Sequence, residues 1–377
     1  MKNKKIKVAI VIGTRPEIIK LSEVIKELDD KTDHVLIHTG QNYDYELNEI
    51  FFEELGIRKP DYFLEIAGGS PSSAVGRVIE KVDEVLEKEK PDAFLLLGDT
   101  NSGMGAYSAK RRKIPIFHME AGNRCFDMRV PEEVNRRLLD HLSDINLVYS
   151  DVTRHNLLNE GLPMDRIIKT GSPTYEVLQK HMSKIKASTI LKDLSLKKED
   201  YFVLSVHREE NIDIEKNFRN LVRTLEEVSK KYNKKIIFSV HPRTRKRIEE
   251  SGVELPKNII QMKPVGMFDY VFLQMNAFCV LTDSGTLSEE GSMLNFPGVS
   301  LRDTTERLEG MDEGVFVMAG LNPERVLQAI DVVTTQARGD KRDFKLPLDY
   351  SNLNVSKKVV RLILSYTDYA RRVVWSE

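Results

Sequence analysis

Short, uninterrupted apolar runs alternate with amphipathic helical patterns along most of the chain, and that alternation leaves few folds open. In the first half the runs are VAIVIG, HVLIHTG, DAFLLLGD, IPIFHME, INLVYS and IIKTG. In the second half they are FVLSVH, KIIFSV, NIIQM, AFCVLTD and PGVSL. Between them lie stretches with helical spacing at 17–28, 74–88, 131–142, 215–230 and 287–294. A run that is apolar at every position has no face to give to water, so it belongs to a parallel strand covered on both sides by helices. The expected fold class is α/β, with doubly wound domains. A length of 377 residues favours two such domains over one. The turn-rich GSPTYEVL, followed by a polar, lysine-rich stretch, marks the expected boundary: 1–175 for the first domain and 176–354 for the second. The helical pattern at 355–377 is expected to pack back on the first domain.

Charge excludes several partners. With 57 basic and 58 acidic residues the formal net charge is -1, which gives no bulk attraction to nucleic acid or to an anionic membrane. Neither is expected as a partner, and any anion must be held by a local site. Cys125 and Cys279 fit neither a disulfide framework nor a zinc spacing, and no metal is expected. The opening MKNKKIKVAIVIG reads as a first strand rather than a signal peptide, because its apolar run is strand-length and meets a polar turn at once. No apolar stretch is long enough to span a bilayer. A reduced, cytoplasmic setting is the default expectation.

In open α/β sheets ligands sit beyond the carboxyl ends of the strands, so two such domains are expected to face a common cleft, and the polar residues after each strand matter most. GTRPEIIK combines a glycine turn at Gly13 with Arg15, whose planar fork suits phosphate oxygens, and Lys20 one turn later. Pro16 at the first helical position and Glu17 in the first turn also make sense as ordinary helix-start chemistry. In GDTNS, Asp99 is either a helix cap or a carboxylate at a strand end. HMEAGNRCFDMRVPEEVNRR is the densest polar stretch. Glu120 ends a strand that has little structural need of a carboxylate, whereas Glu132 and Glu133 also suit a helix N-terminus. Carboxylates crowded at one site would raise at least one pKa and favour proton transfer. His207 in SVHREENID and His241 in VHPR each follow a strand and stand near an arginine; either is a structural histidine or a proton donor or diphosphate contact. In TDSGTLSEE, Ser284 and Gly285 open a helix where a diphosphate fits the free N–H groups, although Thr286 and Glu289 also fit a capping box. Glu290 lies a turn later, placed to accept from a ribose diol. GxGxxG and GxxxxGK[ST] are both absent, which argues against a dinucleotide or P-loop site.

Taken in order, GTRPEIIK, GDT, HMEAG, PEEVNR, HREEN and DSGTLSEE followed by RDTTER resemble the non-hydrolysing UDP-N-acetylglucosamine 2-epimerase family. The resemblance runs over about residues 7–320. It implies two Rossmann-like domains in the arrangement of the B-type glycosyltransferases, a UDP-sugar substrate, no cofactor, and a homodimer. It also implies roles. Asp99, Glu120 and Glu132 would be the essential carboxylates, with His207 among the catalytic groups. Arg15 and His207 would contact the diphosphate, Ser284 and Gly285 would hold phosphate, and Glu290 would bind ribose. Lys20, Arg136, His241 and Arg302 complete the implied substrate-binding set.

The family reaction is an elimination. A carboxylate removes the C2 proton while UDP leaves C1, and UDP then adds back as a proton arrives on the other face of C2. HMEAGNRCFDMRVPEEVNRR and HREENID differ from the commoner HVEAGLR and HRREN texts. They look like the branch that makes UDP-N-acetyl-L-fucosamine from UDP-2-acetamido-2,6-dideoxy-L-talose for capsule or O-antigen. UDP-N-acetylglucosamine is the alternative substrate. GQNYDYE replaces text tied to an allosteric sugar-nucleotide site, which speaks against feedback activation, and Leu308 stands where proline is usual. A glycosyltransferase of the same fold, or a nucleotide-sugar-binding protein without activity, is the reading from another class.

Overall fold

The computed structural model describes residues 5–40 and 49–377. The expectation drawn from GQNYDYE rests almost wholly on residues outside that set. The chain divides into two compact units, Met1–Lys180 with Leu348–Glu377, and His181–Pro347.

The first unit is built on a parallel sheet of seven strands: β1 (Lys7–Ile12), β2 (Asp33–His38), β3 (Tyr62–Phe63), β4 (Ala93–Leu97), β5 (Ile116–Ala121), β6 (Ile145–Val148) and β7 (Ile167–Lys169). Their order is β3-β2-β1-β4-β5-β6-β7. The second unit repeats the plan with six: β8 (Tyr201–Ser205), β9 (Lys235–Ser239), β10 (Ile259–Met262), β11 (Cys279–Thr282), β12 (Gly298–Ser300) and β13 (Val317–Met318). Their order is β10-β9-β8-β11-β12-β13. In both sheets the strand order reverses beside the first strand, which puts β1 next to β4 and β8 next to β11. At such a switch point the loops after the two strands diverge and leave a crevice.

Burial explains the unbroken apolar runs. Val8 through Ile12 are each 0% exposed, so β1 is covered on both faces. One face packs Ala9, Val11, Val35, Ile37, Phe94 and Leu96 against Val78, Val82 and Val85 of the helix Pro71–Glu89. The second sheet does the same with Phe202, Leu204, Phe238 and Leu281 against Leu221, Leu225 and Val228 of the helix Glu215–Tyr232. Each of these Val, Leu, Ile and Phe side chains, fully buried, contributes about 1.5–3 kcal/mol. β3 and β13, two residues each, left no readable period in the sequence. The helix Val355–Trp375 buries Val355, Val359, Val360, Ile363 and Ala370 and packs against the helix Arg15–Lys31. Its start is pinned by Glu176, which accepts from Ser356 N–H at 2.9 Å and from its hydroxyl at 2.6 Å.

Candidate functional site

In the first unit the candidate residues gather beyond the carboxyl ends of β1, β4 and β5. The helix Arg15–Lys31 is capped by Thr14, with Glu17 closing a capping box. Pro16 is therefore the second helical residue, one place later than expected, and Arg15 the first. Arg15 is half-buried and Lys20 buried. Lys20 turns back to the sheet, its Nζ 2.7 Å from Glu120 Oε2, with side chains only 5% and 10% exposed.

Glu120 carries the strongest backbone signal. It lies in β5 with φ of +64°, where the pairing with β6 slips between Met119 and Ala121. A non-glycine residue held left-handed inside a bulge is strained, and such strain collects at functional sites. The bulge aims the carboxylate at Lys20 and at Tyr149, whose hydroxyl donates to Glu120 Oε2 at 3.0 Å. Tyr149, buried just after β6, had no place in the sequence reading. Its signal was its strand-end position in INLVYS.

Asp99 is not a helix cap: Thr100 caps the short turn Asn101–Gly105, its hydroxyl accepting from Ser102 N–H at 3.3 Å. Asp99 instead pairs with Arg136, Nη2 to Oδ2 at 2.7 Å. Arg136 is on the helix Pro131–Leu142, where its Nε donates to the Glu132 carbonyl and its Nη1 lies 3.4 Å from Glu133. Asp99 and Glu120 thus each have a cation of their own at 2.7 Å, which offsets the mutual repulsion expected between them. Glu132 is half-buried in the first turn of that helix, while Glu133 is fully buried and accepts from Cys125 N–H at 3.0 Å. Behind Asp99, fully buried His118 donates through Nε2 to the Gly98 carbonyl at 2.7 Å, and its Nδ1 lies 3.0 Å from Asp140.

In the second unit the candidates follow β8, β9, β11 and β12. Asp283 organises them and was missed, although it too follows a strand. Fully buried, it accepts from His207 N–H at 3.1 Å, Arg208 N–H at 3.0 Å and Asn211 Nδ2 at 3.1 Å. The His207 ring lies beside that of His241, with centroids 5.7 Å apart. His241 caps the helix Pro242–Ser251, its Nδ1 accepting from Arg243 N–H at 3.3 Å.

Gly285 is the N-cap of the helix Thr286–Leu294, and Ser284 Oγ accepts from Thr286 N–H at 3.3 Å. The capping box expected of Thr286 and Glu289 does not form; Glu289 turns inward to Arg307, 3.1 Å away. Glu290 accepts from Gln274 Nε2 at 2.8 Å. A Cβ on Gly285 would meet Glu306 Oε1 at 2.3 Å and Arg302 Nη1 at 3.3 Å, so that ion pair lies against the helix start. Arg302 is 4% exposed and bonds Glu306 through Nη2 at 2.7 Å, but its Nε and Nη1 have no hydrogen-bond partner among the described residues. Buried N–H donors of that kind call for an acceptor, and beside a helix N-terminus an anion suits them. Leu308 opens the short helix Leu308–Asp312, a position that proline also suits.

No group of three or more potential metal ligands occurs among the described residues, and no described helix is long and apolar enough to cross a membrane.

A family model described as UDP-N-acetylglucosamine 2-epimerase matches residues 26–364. The structure of UDP-N-acetylglucosamine 2-epimerase from Rickettsia bellii is 52% identical, with a TM-score of 0.92 over 99% of this chain and 100% of that one. The crystal structure of the Methanocaldococcus jannaschii UDP-GlcNAc 2-epimerase in complex with UDP-GlcNAc and UDP is 37% identical, with a TM-score of 0.89 over 96% and 100%. The UDP-2,3-diacetamido-2,3-dideoxy-D-glucuronate 2-epimerase of Pseudomonas aeruginosa is 37% identical over 329 residues, covering 86% of this chain and 91% of that protein. The fold is α/β and like that of the B-type glycosyltransferases, with two parallel sheets. The chain belongs to the non-hydrolysing UDP-N-acetylglucosamine 2-epimerase family and is an isomerase.

Proposed function

We propose that this enzyme inverts C2 of a UDP-linked 2-acetamido sugar by eliminating UDP and adding it back. The observation that carries this reading is Glu120, a carboxylate held in a strained bulge between Lys20 and Tyr149 at the carboxyl edge of the sheet. The hydrogen on C2 is not beside a carbonyl, so simple enolisation is not open to it. In the elimination a carboxylate takes the C2 proton and the C–H electron pair becomes the C1–C2 double bond. The bond from C1 to the diphosphate oxygen breaks, and the negative charge goes to UDP. In the return step the diphosphate oxygen attacks C1 while a second acid delivers a proton to the opposite face of C2.

Two of Asp99, Glu120 and Glu132 serve the two proton transfers, each worth about 10²–10⁴-fold in rate. Arg136 and Lys20 hold Asp99 and Glu120 in place, each through an ion pair at 2.7 Å. Arg15, His207, His241, Arg302 and the helix start at Ser284 and Gly285 stabilise charge gathering on the leaving diphosphate. Glu290 takes the ribose hydroxyls.

UDP-N-acetylglucosamine is the first substrate to test, because it is named in relatives that match this chain over nearly its whole length. The 6-deoxy-L-talose sugar nucleotide is the second reading, supported by the variant texts HMEAGNRC and HREENID. The relative that acts on a diacetamido-glucuronate supports a family tolerant at other sugar positions. A cytoplasmic setting, a homodimer and a role in capsule or O-antigen synthesis belong to the same reading. The test is proton NMR in D₂O with enzyme and UDP-N-acetylglucosamine alone. Deuterium entering C2, with a second anomeric signal for the manno epimer, is the expected result. Absence of exchange with this sugar moves the reading to the 6-deoxy-L substrate. Absence with both overturns the choice of these two sugars and moves the test to other UDP-linked 2-acetamido sugars, among them the diacetamido-glucuronate named for the Pseudomonas aeruginosa relative.

A further inference from the structure

Glu17 is 1% exposed and lies at the switch point of the first sheet. As the acidic partner of a capping box it needs only the Thr14 backbone and hydroxyl. It does more. Oε2 accepts from Gly13 N–H at 3.0 Å, Thr14 N–H at 2.8 Å and Thr14 Oγ1 at 2.7 Å. Oε1 accepts from Thr100 Oγ1 at 2.9 Å, across 83 residues of sequence. Thr100 follows Asp99 directly, and Thr14 precedes Arg15. The same corner is closed by a bond between Thr39 and Ser102 hydroxyls at 3.0 Å, and Gly13 approaches both so closely that a Cβ would lie 2.1 Å from each.

We propose that Glu17 is a positioning residue for the epimerase reaction: its carboxylate straps the loop after β1, which carries Arg15, to the loop after β4, which carries Asp99. This inference rests on the epimerase reading given above. Burial pushes the Glu17 carboxyl up to about 7 against the pull of its four donors, so both protonation forms occur near neutrality. When protonated on Oε1 the carboxyl donates to Thr100 Oγ1, which reverses that bond without breaking it. Glutamine imitates this state, with its oxygen facing Gly13 and Thr14 and its amide N–H₂ facing Thr100. The strap is therefore a matter of shape and hydrogen bonding more than of charge.

The experiment compares wild type with Thr100→Val, Glu17→Ala and Glu17→Gln, using UDP-N-acetylglucosamine turnover and amide hydrogen exchange on the same full-length preparations. Thr100→Val is expected to lower kcat at least ~10-fold with little change in KM, because it cuts the strap at the Asp99 loop, together with the cap that the same hydroxyl gives Ser102 N–H; misplacing a catalytic group by about 1 Å costs on the order of 10²-fold. Glu17→Ala is expected to lower kcat and raise KM, since it frees both loops. Glu17→Gln should recover most of that loss with an unshifted pH profile. Amides of residues 98–105, which make no backbone bond to Glu17, should exchange at least ~10-fold faster in Glu17→Ala when the strap is lost. Unchanged exchange there, or full kcat in Thr100→Val, overturns the strap and leaves Glu17 a local helix cap. A wild type inactive on every UDP-sugar overturns the epimerase reading instead, and the amide exchange still decides the strap. If Glu17→Ala does not fold, Thr100→Val with Glu17→Gln carries the same decision.

Discussion

Replacing Glu120 with glutamine keeps the shape of the side chain and removes its charge, and the structure separates the two costs. The first is chemical. An amide does not take a proton from carbon, so turnover is expected to fall by about 10²–10⁴-fold, or roughly 3–5 kcal/mol of barrier at ~1.36 kcal/mol per decade. The second is structural. Lys20 Nζ lies 2.7 Å from the lost charge, and the Lys20 side chain is only 5% exposed. Breaking a buried ion pair by removing one of its charges costs about 3–5 kcal/mol; the amide oxygen still accepts one bond, which puts the expected loss at the lower end. The double variant Lys20→Met/Glu120→Gln pulls these apart. With both charges gone the desolvation cost disappears, so thermal stability should return toward wild type while turnover stays lost. C2 proton exchange by NMR gives turnover, scanning calorimetry gives stability, and titration calorimetry with UDP should show affinity in Glu120→Gln within about threefold of wild type, because Arg15, His207 and Arg302 are untouched. Turnover of folded Glu120→Gln within tenfold of wild type refutes the reasoning and removes Glu120 from proton transfer.

Three further outcomes follow from the same geometry. Arg302→Met should weaken UDP binding about 10–100-fold in titration calorimetry, the worth of a charge-assisted hydrogen bond at ~1.5–3 kcal/mol, and an unchanged Kd removes the guanidinium from the anion site. Asp283→Asn turns an amide N–H₂ toward the N–H groups of His207 and Arg208 that the carboxylate now accepts, so exchange of amides 206–211 should accelerate and UDP affinity fall, by ~1–3 kcal/mol for the unsatisfied donors; unaltered exchange argues against the role. Glu17 has a pH signature of known sign: its carboxyl is raised from 4.5 to about 7, so the stability it contributes is present below pH 4.5 and lost as pH climbs to 7, by roughly 3 kcal/mol at ~1.36 kcal/mol per pH unit. The Tm of Glu17→Gln should therefore gain on that of wild type between pH 4.5 and 8, and a constant difference contradicts a carboxyl raised by burial.

Much of this was legible in the residues because both-face burial writes itself directly into sequence. Val8 to Ile12 had to be apolar at every position to form β1, and the same demand exposed β4, β8 and β11. Strand ends then singled out Arg15, Asp99, Glu120, His207 and Ser284 without knowledge of any contact. What the sequence did not carry was pairing across distance. Nothing in PEEVNRR says that Arg136 turns to Asp99, and nothing in GTRPEIIK says that Glu17 reaches Thr100 as well as Thr14. Glu120 was singled out as a carboxylate at a strand end, but the bulge that makes it strained depends on the register between β5 and β6, which no local pattern encodes. Asp283 and Tyr149 were passed over because a lone aspartate or tyrosine after a strand is common. Only the donors that converge on Asp283, and the carboxylate that Tyr149 meets, set them apart. β3 and β13 are edge strands of two residues, too short to show any period.

The two units solve one physical problem in two ways. A switch point is useful because the loops after neighbouring strands part, and the same parting leaves backbone N–H groups without strand partners just where rigidity is needed. Water would satisfy them but would not hold them. In each unit a buried carboxylate does so: Glu17, sent from the helix after β1 across to Thr100 beyond β4, and Asp283, sent from the end of β11 across to the His207 and Arg208 amides beyond β8. They come from opposite loops and are different residue types, so a duplicated motif does not explain the likeness. The geometry does. A carboxylate offers about four acceptor sites on two oxygens, which lets it gather donors from both loops at once; a hydroxyl is too small to bridge them, and at Asp283 a neutral amide would turn donors toward the His207 and Arg208 N–H groups. The cost is burial of the charge, which at Glu17 shows as a carboxyl raised to about 7. That cost is tolerable only where the fixed loops carry the chemistry, as they do on either side of both carboxylates.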